Sequence, residues 1–139
     1  EDPHNLGAIL RSAEAAGVHG VIIPKRNSVT LNYTVAKTSA GAIEYVPVVK
    51  VANLPAAIDE LKSRGVWIFG ADMDGTDYTA LGYSGSIALV IGSEGKGIGR
   101  LVREKCDFIA SLPMRGKINS LNASVAAGIL MFEAAKHRN

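Results

Sequence analysis

Two runs, Val66–Ala71 and Ile87–Ile91, carry no charged side chain at all. A strand with one wet face alternates apolar and polar residues. A strand that is apolar on both sides has to be covered on both faces, which is the situation in a parallel sheet. The segments between such runs have helical spacing. Asn5–Ala16 places Leu6, Ile9, Leu10 and Ala13 on one stripe and stops at Gly17, with Pro3 where a first turn tolerates it. Asn53 caps a helix running to Arg64, with Leu54, Ile58 and Leu61 inward and Gly65 as its stop. Shorter helices are expected over Leu31–Ala40, closed by Gly41, and over Ile98–Lys105. Further strands are expected over Val18–Ile23, Tyr45–Val49 and Phe108–Leu112, and Met73–Gly85 reads as a long loop. Strand and helix alternate without repeats or linkers. The expected class is therefore α/β, a mostly parallel sheet with helices on both faces.

Length and charge narrow the setting. At 139 residues, 47% hydrophobic and 20% charged, the chain suits one folded domain with a sizeable core. The net charge of +2 does not announce a nucleic-acid binder, so the placement of the basic residues decides. Cys106 is the single cysteine, which excludes an internal disulfide and fits a reducing cytoplasm. There is no signal peptide and no 18-residue uncharged apolar run, so no membrane association is expected. Glu1–Asn5 opens almost directly into a helix with no strand before it, the pattern of a domain cut from a longer protein.

In parallel sheets ligands sit beyond the carboxyl ends of the strands. Here those ends carry Lys25-Arg26, Asp72–Asp77, Gly92–Gly97 and Leu112–Lys117, the most glycine-rich and charged parts of the chain. The last is the richest. Leu112-Pro113-Met114 ends an apolar run, Arg115–Asn119 is a basic loop, and a helix follows from Ser120, with Leu121, Val125, Gly128, Ile129, Phe132 and Ala135 on one stripe. Ser120, Asn122 and Ser124 cluster at its mouth. They are either ordinary caps or polar groups at a ligand site facing free helix N–H groups; the stretch alone leaves both open.

Several motifs fail on inspection. "GSEGKGIG", Gly92–Gly99, has Val90 where a phosphate loop needs glycine and Gly97 where it needs Ser or Thr. It also breaks the dinucleotide pattern, with Arg100 at the last glycine. "DMDGTD", Asp72–Asp77, has its glycine misplaced for a calcium loop and no Glu at the twelfth position. His4, His19 and His137 lack ligand-spaced partners, so no metal site is expected. Cys106, just before an apolar strand, reads as a small core residue rather than a nucleophile.

Three segments remain: "DPHNLGAILRSAEAAG" (Asp2–Gly17), "IALVIGSEGKGIGRLV" (Ile87–Val102) and "LPMRGKINSLNASVAAGILMFEA" (Leu112–Ala134). Together and in this order they resemble the three signature motifs of the SpoU/TrmH family of ribose 2'-O RNA methyltransferases in the SPOUT superfamily. The third resembles most the RlmB-type branch, which modifies a guanosine of 23S rRNA. The resemblance covers essentially the whole chain as one SpoU-type domain. It implies a C-terminal deep trefoil knot, S-adenosylmethionine as methyl donor without a metal, a homodimer with sites at the subunit interface, and a structured RNA substrate, most often ribosomal. It also implies a first strand, and in many members an RNA-binding extension, before Asp2.

Carried over residue by residue, the resemblance assigns Asn5, Arg11, Glu94, Ser120 and Asn122 to catalysis. It assigns Gly92, Leu112 and Leu121 to the donor, with Ile91 and Met114 beside them as apolar wall. Position alone makes Arg11 a surface arginine; the motif match makes it functional. A guanidinium is a poor proton acceptor at ordinary pH, so the role that suits Arg11 is anchoring a phosphate and stabilising a developing alkoxide. Glu94 would orient that guanidinium, and Asn122, which can donate and accept, would tie carboxylate and ribose together. Lys25, Arg26, Lys96, Arg100, Arg115 and Lys117 are either solvated surface or a phosphate-binding rim for RNA. Two other readings compete with a ribosomal RNA methyltransferase: one acting on the ribose of transfer RNA, and a non-catalytic RNA-binding module of the same fold.

Overall fold

A computed structural model describes residues 3–25, 33–93, 96–118 and 120–138. Every strand pair among the described residues is parallel, as continuous apolar strands require. Among the described residues the strands are hydrogen-bonded in two sheets, of two and three strands, where one sheet is expected from sequence. The division follows two compact units, Glu1–Leu54 and Pro55–Asn139.

In the first unit, α1 (Pro3–Ala16) starts on its proline and ends at Gly17, whose φ of 80° favours a residue without Cβ. Leu6, Leu10 and Ala13 are buried, and Leu10, fully enclosed, contributes roughly 1.5–3 kcal/mol through burial. Any Cβ on Gly7 would collide with the Thr38 side chain, so α1 and α2 (Tyr33–Thr38) cross at closest approach there. Strands β1 (Val21–Pro24) and β2 (Val48–Val51) pair from Val21↔Val48 to Pro24↔Val51. The expected strand at Tyr45–Val49 therefore starts three residues late. Ala42–Glu44 forms a 3-10 turn, and the N–H groups of Tyr45 and Val46 both still bond to the Ala42 carbonyl (2.9 and 3.0 Å), which keeps Tyr45 out of any ladder.

The second unit begins one residue into α3 (Leu54–Ser63) and is built on β3 (Trp67–Asp77), flanked by β4 (Ile87–Val90) and β5 (Phe108–Ser111). Phe69 sits between Tyr83 and Phe108, with ring centroids 4.8 Å away on each side. Strand β3 extends six residues past Ala71, into what reads from sequence as a loop. Ala71 and Thr76 both pair with Ala110, so Asp72–Gly75 bulge out between them, with Asp74 at φ 59°. Helix α4 (Arg100–Lys105) leads into β5, and α5 (Ala123–Ala135) closes the chain.

On α5, Ala127, Leu130, Met131, Glu133 and Ala134 are buried. Of the stripe read from sequence, Val125 and Phe132 are each 49% exposed, and Leu121, Gly128, Ile129 and Ala135 are half-buried. The helix is apolar nearly all round, so no polar side marks the outside.

Candidate active site

Neighbouring strands β3 and β5 end side by side, at Asp77 and Ser111. Beyond β3 the chain rolls into a 3-10 turn, Tyr78–Ala80; beyond β5 it runs on as irregular backbone through residues 112–118. Between them lies an open cleft of about 320 Å³, at the small end of ligand-sized pockets. Leu112, Pro113, Met114, Leu121 and Ile129 form its apolar wall; Asp77, Tyr78, Thr79 and Arg115 form the polar one. Leu112, Met114, Arg115 and Leu121 were singled out by sequence and come together here. Ile91 and Gly92 do not line this cleft.

The polar wall is preorganised. One oxygen of the Asp77 carboxylate accepts the Thr79 hydroxyl (2.7 Å) and the Thr79 N–H (2.9 Å). The hydroxyl first, and the N–H second, hold this carboxyl below its ordinary pKa. Ionised Asp77 and the Arg115 guanidinium thus place charges of both signs on this wall. Behind the turn, fully buried Tyr83 donates its hydroxyl to the Tyr78 carbonyl at 2.6 Å. Burial, then the nearby Glu133, raises the Tyr83 pKa to about 12.

Asn122 is the N-cap of α5. Its Oδ1 accepts the N–H groups of Ser124 (2.9 Å) and Val125 (3.4 Å), and the Ser124 hydroxyl. The cap reading of this residue is thus realised, immediately beside Leu121. Ser120 is exposed before the helix.

The backbone around Gly92 leaves no room for a side chain. A Cβ there would collide with the carbonyl of Gly97 and approach the N–H of Ile98. Ser93 and Gly97 are bridged, with the Gly97 N–H on the Ser93 carbonyl at 3.0 Å. The glycine lets the loop after β4 close on itself. Arg103, on α4 just beyond the loop, donates to Asp72 Oδ2 (2.8 Å) and the Met73 carbonyl (3.1 Å) of the β3 bulge. Gly97 packs against the same Asp72 carboxylate. Glu94, at the centre of the loop, lies outside the described residues, as does Arg26.

In the N-terminal unit, half-buried Asn5 and exposed Arg11 lie on α1. Arg11 opens onto a second cleft of about 340 Å³, shared with Glu14, Ala15, Ser39, Ala40, Gly41, Ala42 and Tyr45. Lys25, Lys96, Arg100, Arg115 and Lys117 are all exposed. Arg115 alone of these lines the first cleft, and Arg100 pairs with Glu104 within α4 at 3.2 Å.

The sequence profile of the SpoU rRNA Methylase family matches residues 1–132. The chain belongs to this family. Among curated relatives, YacO of Bacillus subtilis, assigned to the TrmH family of tRNA/rRNA methyltransferases, is 57% identical over the whole chain. The present chain spans 56% of that relative's length. Among solved structures, the SpoU methyltransferase AviRb of Streptomyces viridochromogenes with bound AdoMet superposes with a TM-score of 0.91, at 30% identity, over 99% of this chain and 57% of its own. An RNA 2'-O ribose methyltransferase superposes at 0.89, with 28% identity, over 99% and 53%.

On the SpoU chain, the third motif supplies one wall of the first cleft and the cap of α5, the second motif forms the closed glycine loop after β4, and the first motif is α1. The opposite wall, Asp77–Thr79, belongs to no motif and lies in the stretch whose sequence reads as a long loop. Its position at a strand's carboxyl end was the available sign. Cys106 is half-buried and donates weakly to the Val102 carbonyl (3.3 Å). Burial first, and Asp107 next, push its thiol pKa up, which disfavours the nucleophilic thiolate.

Proposed function

We propose that the chain is the catalytic domain of an S-adenosylmethionine-dependent RNA methyltransferase that methylates a ribose 2'-hydroxyl, with a guanosine of 23S ribosomal RNA as its target. The observation that carries this reading is the cleft at the ends of β3 and β5. Its apolar side suits an adenosine, and its ionised Asp77 suits a donor bearing sulfonium and ammonium charges. Leu112, Leu121, Met114 and Ile129 would hold the ring, and Asp77 the cationic end. When bound, the cofactor supplies an electrophilic methyl group on positively charged sulfur.

What remains for the protein is to position the acceptor oxygen in line and to ease loss of its proton. Arg11 is suited to the first task as a planar fork on a phosphate, and it stabilises charge developing on the ribose oxygen. The proton leaves to that phosphate or to water. This reading also assigns Asn122, Asn5, Ser120 and Glu94 to catalysis, and Lys25, Arg26, Lys96, Arg100, Arg115 and Lys117 to RNA phosphates. The reading includes the trefoil knot at the C-terminal end of the fold, a cytoplasmic location and a homodimer. Exposed Val125 and Phe132 on α5, with Ile118 77% exposed upstream, supply apolar surface that a second copy would cover.

The test is transfer of labelled methyl from S-adenosylmethionine to unmodified ribosomal and transfer RNA, with the modified nucleotide mapped by its resistance to alkaline hydrolysis. Ribose label in 23S RNA is expected. Label on a base, or on neither RNA, overturns the proposal, and label on transfer RNA alone overturns the ribosomal target. Arg11→Lys should cut the single-turnover rate sharply at saturating RNA; an unchanged rate would remove the fork from the mechanism.

A further inference from the structure

We infer that the cleft beside Arg11 is a nucleobase site, in which the target base stacks on Tyr45 and turns its Watson–Crick edge to Glu14. The inference rests on the reading of the chain as an RNA methyltransferase and deepens it. No motif covers Tyr45, and nothing in the sequence separates it from the other tyrosines.

The residues are placed by backbone. Arg11, Glu14 and Ala15 fall three and four apart on α1, hence on one face. Across the cleft, Ala40 (φ 54°) and Gly41 (φ 87°) are successive left-handed residues that turn the chain out of α2 into the 3-10 turn. Ser39 forms the floor; it is fully buried, and its hydroxyl is committed to the Ala36 carbonyl at 2.9 Å. Tyr45, at the end of the turn, forms a wall.

Tyr45 is 78% exposed, and among the described residues no ring stacks on it. Tyr83 shows the contrast, with its ring enclosed and its hydroxyl bonded. A tyrosine that keeps its face to solvent at the rim of a cleft is what an unstacked RNA base needs, since each base has a π face to lay on it. The cleft, at about 340 Å³, is of ligand size. Its two charges then divide the nucleotide. Arg11 takes the phosphate. Glu14, an acceptor only when ionised, takes a donor edge. Guanine alone among the four bases presents two adjacent donors there, the ring N1–H and the exocyclic amine, matching the two carboxylate oxygens.

The probe is guanosine 5'-monophosphate, titrated into the intact chain while the Tyr45 ring and Arg11 side-chain NMR signals are followed. Saturable shifts are expected, with weaker binding of the inosine, adenosine and uridine monophosphates. Tyr45→Phe should bind as the parent does, and Tyr45→Leu about tenfold less tightly. Glu14→Gln should abolish the preference for guanine over hypoxanthine. Absence of saturable shifts, equal binding by Tyr45→Leu, or a preference that survives in Glu14→Gln overturns the inference. Methyl transfer to RNA is measured on the same preparations. If transfer occurs and the nucleotide ignores the cleft, this inference alone falls. If the nucleotide fills the cleft and no RNA accepts methyl, the enzymatic reading falls, and the acceptor role of the cleft with it.

Discussion

Replacing Tyr83 by phenylalanine removes one oxygen and tests both the pinning of the Tyr78 turn and the origin of its raised pKa. The parent hydroxyl is buried and bonded to the Tyr78 carbonyl at 2.6 Å. Loss of such a bond, with the carbonyl left to find another partner, costs about 1–2 kcal/mol. For a chain of this length the unfolding entropy is roughly 0.3 kcal/mol/K, so Tm at pH 7 should fall by about 5 °C. The pH dependence is more diagnostic. Tyr83 is raised from 10.0 to about 12 in the folded state, so the folded chain holds this proton where the unfolded chain has released it. Stability from this group is fully present below pH 10 and is lost as pH climbs towards 12, by about 2–3 kcal/mol in all. Denaturant melts of parent and variant from pH 7 to 11 should therefore converge at the alkaline end. If the variant loses stability with the same slope as the parent, Tyr83 is not the titrating group and the account of its burial is wrong. Donor affinity supplies the functional readout, because the Asp77–Thr79 wall has lost its anchor.

Gly92→Ala should destabilise the chain by about 1–3 kcal/mol, because the added methyl meets the fixed backbone of Gly97; melting within 0.5 kcal/mol of the parent would show that the loop has room to yield. Asp77→Asn keeps an acceptor for Thr79 but removes the carboxylate charge, so calorimetry should show about a threefold loss for S-adenosylmethionine and a smaller one for the thioether product, which keeps the ammonium but lacks the sulfonium charge; no loss for either would exclude an electrostatic role. Asn122→Ala should cost about 1 kcal/mol as a lost cap and reduce turnover more than donor binding. Asn122→Asp should restore stability, since it still accepts from residues 124 and 125, but not turnover; recovery of both would leave only the cap.

What could be read from sequence was what backbone chemistry dictates locally. Gly17 and Gly65 stop α1 and α3 at φ near 80°, and the unbroken apolar runs pair in parallel. What could not be read depends on residues far apart in sequence. The continuation of β3 through Asp72–Asp77 looks polar and loop-like in isolation. It becomes strand because β5 accepts it on both sides of a bulge at one residue, Ala110. Tyr83 shows no periodic pattern, yet it is fully buried because Phe69 offers a ring to stack on and Tyr78 a carbonyl to bond.

The candidate site divides along the same line. Leu112, Met114, Arg115 and Leu121 lie within ten residues of one another, and a strand–loop–helix segment has to bring them to one end of the sheet; their meeting in a cleft followed from local order. Asp77 reaches the same cleft from more than thirty residues away only because β3 and β5 are neighbours in register, Asp77 against Ser111. A one-residue slip would turn alternate side chains to the opposite face and leave the cleft with a different polar wall. The bulge at Asp72–Gly75 sits between the paired segments that set this register, and Gly75, where a Cβ would run into the Ile109 backbone, lets the two strands come together there. The charge on the cleft wall thus depends on a glycine that does not line it.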